Sequence, residues 1–176
     1  MQERPTWRVW IVLYLAMAVQ TTWFAHWRPG GAHVDLPLMA TVSVGLLLGW
    51  EMGAAYGLLA GLLMGYYTDF NVGSFAVSRA VVGGVCGLFE SRFSRDNPFA
   101  PPLCAMGGVV LANLIFLIMS PTNFSVVWWI QHTIAPALIQ ALLIWPLHAV
   151  IAYLVPAATG SWSAPRGDPN VVTRGR

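Results

Sequence analysis

Lysine is missing from this sequence, and charge of either sign is scarce: 9% of the 176 residues are Asp, Glu, Lys or Arg. A water-soluble domain carries about a quarter. So little charge cannot cover a water-facing surface, which argues against a soluble enzyme, a nucleic-acid binder and a disordered chain together. Cysteine is scarce too. Cys86 and Cys104 lie inside apolar runs, make no disulfide framework, and read as free thiols packed as small apolar groups. No zinc-ligand pattern occurs, and no metal or cofactor is expected. His132 and His148 would stand about 24 Å apart along a continuous helix, too far to share an ion. His26 and His33 sit in a Gly/Pro-rich loop, so all four histidines read as polar loop and helix side chains.

Apolar side chains are abundant instead. They make up 57% of the chain, and the mean hydropathy is +0.63. Nine Trp and five Tyr suit anchoring at a membrane interface. All nine cations are arginines near the ends of apolar runs rather than in one basic block, so the net charge of +2 reads as membrane orientation.

Six spans are expected, forming an all-α polytopic bundle over residues 1–155. A crossing helix needs about 20 mostly apolar residues. The first span covers 7–25. Arg4, Arg8 and the pair Ala16 and Ala18 resemble a cleavable signal, but the apolar run continues through Trp23 and Phe24, so the segment is expected to stay. Asp35 before Leu36-Pro37 suits an N-cap with proline in the first turn. The apolar stretch 36–67 would run about 48 Å as one helix. It is therefore split at Gly49-Trp50-Glu51-Met52 into spans 36–48 and 53–68. A turn at 69–73, with Ser74 as cap, precedes span 75–89. Residues 90–102 read as an aqueous loop and 103–119 as the fifth span. The long run 126–154 is split into an interfacial piece, 126–134, carrying Trp128 and Trp129, and a sixth span, 136–154, kinked at Pro146. Residues 156–176 read as a mobile cytoplasmic tail. With six spans, Arg4, Arg8, Arg92, Arg95, Arg166, Arg174 and Arg176 share the side of both termini and Arg28 stands alone on the other, which predicts both termini in the cytoplasm.

Within the spans, glycines recur every fourth residue at Gly45, Gly49, Gly53, Gly57, Gly61 and Gly65. The last four form a stripe without side chains on the third span. Two uses fit: close packing on another span, with Gly83, Gly84 and Gly87 as its complement, or a groove for a partner helix or ligand. Asp69 and Arg79 either face each other across the hairpin, Arg79 reaching toward the outer interface, or stand as independent interfacial charges. Asn113 and Gln140 suit hydrogen bonds between helices. No nucleophile–base pair, carboxylate dyad or phosphate-cradling loop is visible, so an enzyme is not expected.

The run Gly61-x3-Gly65-x3-Asp69-x3-Gly73-Ser74, after the Asp35-Leu36-Pro37 opening, resembles the rod shape-determining MreD family. So does Ala141-Leu142-Leu143-Ile144-Trp145-Pro146, which looks like that family's last helix with its internal proline. The similarity covers roughly residues 5–155 and departs at Tyr66-Tyr67-Thr68, where aliphatic residues are usual. It implies a fold similar to the S-components of energy-coupling-factor transporters. It also implies a non-catalytic inner-membrane subunit of the bacterial elongation machinery. Its partners would be MreC, the wall synthase RodA with its transpeptidase, and membrane lipids, but no nucleic acid. Two other classes stay open: a small-molecule-binding transporter subunit, favoured by a polar cavity between spans, and an intramembrane enzyme, which would need several ionisable groups at one depth.

Overall fold

A computed structural model describes residues 6–25, 33–89, 98–119 and 126–155. Among these the chain is all helical. Helix α1 (Thr6–Val19) continues into a wide π turn (Gln20–Phe24); α2 spans Leu36–Leu48, α3 Trp50–Thr68, α4 Val72–Leu88, α5 Ala100–Met119 and α6 Val126–Leu154. Two segments, Ala100–Met119 and Thr133–Leu154, are long and apolar enough to cross a membrane; α2 and α4 are shorter apolar helices. The expected tail, the loops at 26–31 and 90–97, and most of the arginines behind the orientation argument lie outside the described residues.

Helix α2 is the centre of the bundle and touches all five other helices. Its sequence is apolar all round, and Pro37 through Leu47 are buried without a break. Such a helix has no polar stripe to offer a solvent and is stable only when enclosed. Valines and leucines from α2 join two apolar clusters. One is completed by α1, Tyr56 and Ala60 of α3, and Ile151 of α6; the other by Val82 of α4, Val109 of α5 and Ile144 of α6.

Several element boundaries differ from expectation. The turn between α2 and α3 is a single residue, Gly49, at φ 87°, ψ 180°. That left-handed backbone is open to glycine and strained for a side chain, so the chain reverses without a four-residue loop. Trp50 and Glu51 therefore belong to the first turn of α3. The link from α3 to α4 is three residues, in which Asp69 and Asn71 take left-handed conformations (φ 50° and 41°). Aspartate and asparagine tolerate this region better than other side chains. Helix α4 thus starts at Val72, and Ser74 lies inside it rather than capping it. Helix α5 starts at Ala100, with Pro101 and Pro102 in its first turn, where a missing N–H has no intrahelical partner to lose. The expected division of 126–154 is absent. The segment is one helix of 29 residues with both Pro136 and Pro146 inside it.

The α3–α4 pair is the most extensive helix packing among the described residues. Gly53, Gly57, Gly61 and Gly65 face α4 backbone directly. A Cβ on Gly61 would sit 2.6 Å from Cα of Ala76, and one on Gly65 would sit 2.6 Å from Cα of Val72. At the cytoplasmic end of the expected topology, Gly45, Gly53 and Gly83 bring three backbones together. A Cβ on Gly45 would lie 2.6 Å from the Gly83 carbonyl oxygen, and one on Gly53 would lie 2.8 Å from Cα of Gly45. Gly87 is closed in the same way by the backbone of Gly49 and Trp50. The stripe is thus filled by α4 and is not an open groove.

Adjacent glycines give an internal control. A Cβ on Gly84 would meet only Cβ of Ala54, at 3.6 Å, which is ordinary contact. Gly83→Ala is therefore expected to lower the melting temperature by several degrees and Gly84→Ala to leave it unchanged or raised. Overpacking at the first site costs about 1–3 kcal/mol or more. Equal melting of both variants, followed by circular dichroism in detergent, would refute the backbone contact at Gly83.

Candidate functional site

The backbone at the start of α2 is satisfied by its own cap and by side chains from the π turn and from α6. Asp35 caps α2, its Oδ1 accepting from the Leu38 N–H at 2.9 Å. Gln20, buried in the π turn, donates from Nε2 to the Val34 carbonyl and accepts the Leu36 N–H on Oε1, both at 2.9 Å. Gln140 of α6 donates from Nε2 to the His33 carbonyl at 3.5 Å. Beside Gln20 the Ala18 carbonyl accepts from the Thr21 and Thr22 hydroxyls at 3.1 and 2.7 Å.

The other Asp35 oxygen, Oδ2, accepts from Nη2 of Arg79 in an ion pair between α4 and the head of α2. Arg79 is 3% exposed and stacks over the Phe75 ring, its guanidinium carbon 4.7 Å from the centroid. This corrects the expectation for Arg79. It neither reaches the outer interface nor pairs with Asp69. Asp69 is exposed and ends α3, its N–H donating to the Tyr66 carbonyl at 3.4 Å. Its left-handed geometry is what the turn needs, which accounts for an acidic residue there without a partner charge.

Around the ion pair is a cavity of about 130 Å³ lined by Asp35, Arg79, Phe75, Asn113, Phe116 and Gln140, among others. Asn113 donates from Nδ2 to the Thr133 hydroxyl at 3.2 Å, tying α5 to α6 as expected of an interhelical amide. Arg79 and Gln140 each keep one buried atom, Nε and Oε1, with no hydrogen-bond partner among the described residues. The site holds one ion pair of zero net charge beside two amide side chains, Asn113 and Gln140.

The remaining expected site residues fall elsewhere. Gly73 meets no heavy atom within 4 Å of an added Cβ, so close packing does not explain it. Gly83 and Gly87 belong to the α3–α4 seam described above. Trp145 is half exposed and donates from Nε1 to the Pro98 carbonyl at 2.9 Å, joining α6 to the segment before α5. Pro146 is exposed on α6, and the helix runs on past it. Both cysteines are free thiols, Cys86 directing its Sγ to the Cys104 carbonyl at 3.9 Å. Sequence reasoning missed Gln20 and the second role of Asp35. Gln20 carried a readable signal, as a glutamine among apolar neighbours, whereas the 44-residue separation of Asp35 and Arg79 carried none.

The fold and the site define a class: an all-helical bundle with six helices among the described residues, two of them of membrane-crossing length and apolarity, organised round a buried ion pair. No family model, curated protein or solved structure matches the chain.

Removing one member of the ion pair leaves the other charged and buried, at a cost of about 3–5 kcal/mol. Arg79→Leu is therefore expected to reduce folded protein sharply, and the double variant Asp35→Leu/Arg79→Leu to recover much of the loss despite the missing cap. Asp69→Asn should change stability by less than about 0.5 kcal/mol, as exposed substitutions do. A large effect of Asp69→Asn in the same thermal assay would reinstate it as a partner of Arg79.

Proposed function

We propose that this chain is a polytopic membrane protein with six spans and both termini in the cytoplasm, acting as a non-catalytic scaffold subunit of the bacterial cell-elongation complex. In this reading it lies in the inner membrane and binds MreC, and through it the wall synthase RodA and its transpeptidase partner. One observation carries the membrane placement: every helix except the enclosed α2 turns large apolar side chains outward. Ile118, Leu142 and Tyr153 are each more than three quarters exposed, beside Leu15, Leu63 and Val81. A water-soluble monomer rarely exposes such continuous apolar surface. Aromatic rings at helix ends, among them Trp7, Trp23, Trp50, Tyr66 and Tyr67, suit the two interfaces of a bilayer.

Support for the scaffold form comes from the segments that resemble MreD. The Asp35-Leu36-Pro37 opening and the Gly61–Ser74 run lie far apart in sequence, yet both converge on α4: Asp35 holds Arg79, and Gly61 and Gly65 seat its first turns. A second reading, an S-component-like subunit that binds a small molecule, is favoured by the polar cavity at Arg79 and Gln140.

Depletion in the native cell separates the two. The scaffold reading expects rounded cells with solute uptake intact, and MreC with wall synthases in affinity captures from solubilised membranes. Rod-shaped cells with lost uptake of a vitamin, or capture of an ATPase module, would establish the transporter reading instead.

A further inference from the structure

We infer that Cys86 and Cys104 form a site of reversible oxidation, at which a peroxide joins the two thiols as a disulfide that latches α5 to α4. Such a latch is independent of the functional reading above and needs only the fold.

The pairing is built into the register of two antiparallel helices. Phe75 of α4 packs edge-on against Phe116 of α5, with ring centroids 5.1 Å apart. One turn along, Arg79 and Ala112 share a cavity wall. The next step brings Val82 to Gly108, where an added Cβ would meet Val82 Cγ1 at 3.0 Å. One more turn brings Cys86 to Cys104. Residues three or four apart share a helix face, so Phe75, Arg79, Val82 and Cys86 line up in order with Phe116, Ala112, Gly108 and Cys104. At the last step the Cys86 Sγ is directed at the Cys104 carbonyl at 3.9 Å. The two thiols also lie within hydrogen-bonding range of each other. The chain has no other cysteine, so neither thiol has a competing partner in the same molecule.

Burial separates the roles of the two thiols. Cys86 is 4% exposed and belongs to an apolar cluster, whereas Cys104 is half-buried at its margin. Cys104 therefore meets a water-borne oxidant first. Its thiolate attacks one oxygen of hydrogen peroxide, the O–O bond breaks, and a sulfenic acid forms as one water leaves. Cys86 then attacks that sulfur. The S–O bond breaks, the S–S bond forms, and the hydroxyl departs with the Cys86 proton as a second water. A small thiol reopens the bond by exchange at the more open sulfur of Cys104. The bond would stand at a strategic place. Cys86 Cβ lies 3.5 Å from where a Cβ on Gly45 would be, beside the junction at which α2, α3 and α4 touch backbone to backbone. The α5 glycines Gly107 and Gly108 touch no backbone of another helix. Oxidation therefore extends the fixed unit to α5.

The test uses the full chain, reduced, folded in detergent and freed of reductant. It is exposed to hydrogen peroxide, blocked with N-ethylmaleimide under denaturing conditions and weighed by intact mass spectrometry. The expected product has lost two hydrogens, carries no maleimide and is monomeric; dithiothreitol restores both reactive thiols. Cys86→Ser should hold Cys104 as a sulfenic acid that dimedone traps, and Cys104→Ser should leave Cys86 reduced at the same dose. The oxidised parent should melt several degrees above the reduced parent, because the bond restricts the unfolded chain. That comparison needs no substitution, so it stands even if a variant folds poorly. Two free thiols after peroxide, oxidation to sulfinic acid without a cross-link, or a disulfide between chains overturns the pair. An oxidised parent that melts no higher than the reduced one overturns the latch.

Discussion

The arrangement depends on how the head of α2 is held, by hydrogen bonds and one ion pair from other helices. At 13 residues α2 is about 20 Å long, short of the roughly 30 Å hydrocarbon layer of a bilayer. Its preceding backbone, residues 33–35, is irregular, with Val34 buried, Asp35 half-buried and His33 exposed. Irregular backbone away from water is tolerated only where protein groups satisfy it. Gln20 of the π turn, Asp35 and Gln140 of α6 do so, while Arg79 of α4 holds the Asp35 carboxylate. Four of the polar side chains near the interior are thus used at the head of α2. The ion pair is part of that requirement: the carboxylate that caps α2 needs a cation, and the cation needs a carboxylate.

Close backbone approach supplies the complementary constraint. Three helices meet at Gly45, Gly53 and Gly83 with no side chain between them. Where burying apolar surface gives little preference between protein and lipid, such contacts and hydrogen bonds have to hold helices together. The glycine seam fixes α3 on α4, which in turn places Arg79 over the head of α2. The seam and the polar cluster are thus two ends of one construction, linked through α4.

Much of this was legible in the sequence. Low charge and long apolar runs gave the helical class, and the four-residue glycine period marked the face that packs. Asp35-Leu36-Pro37 marked the start of α2. The rest was hidden for physical reasons. Gly49 reverses the chain alone, so a four-residue turn was drawn where one residue suffices. Pro136 and Pro146 were read as a boundary and a kink, yet a long apolar helix can carry both when its neighbours absorb the freed carbonyls. The Asp35–Arg79 pair was hidden because sequence proximity favoured Asp69, whereas the fold brings the start of α2 beside the second turn of α4. Gln20 was passed over as one polar residue in an apolar run.

Helix lengths are also unequal across the bundle. The 29 residues of α6 make a rod of about 43 Å, roughly twice α2. In a bilayer, a segment longer than the oily layer leans over, bends, or thickens the lipid around it. The α2–α3–α4 unit has no room to lean, since its backbones are already in contact. One flank of the molecule is thus built on touching backbones and the other on a long helix with two internal prolines.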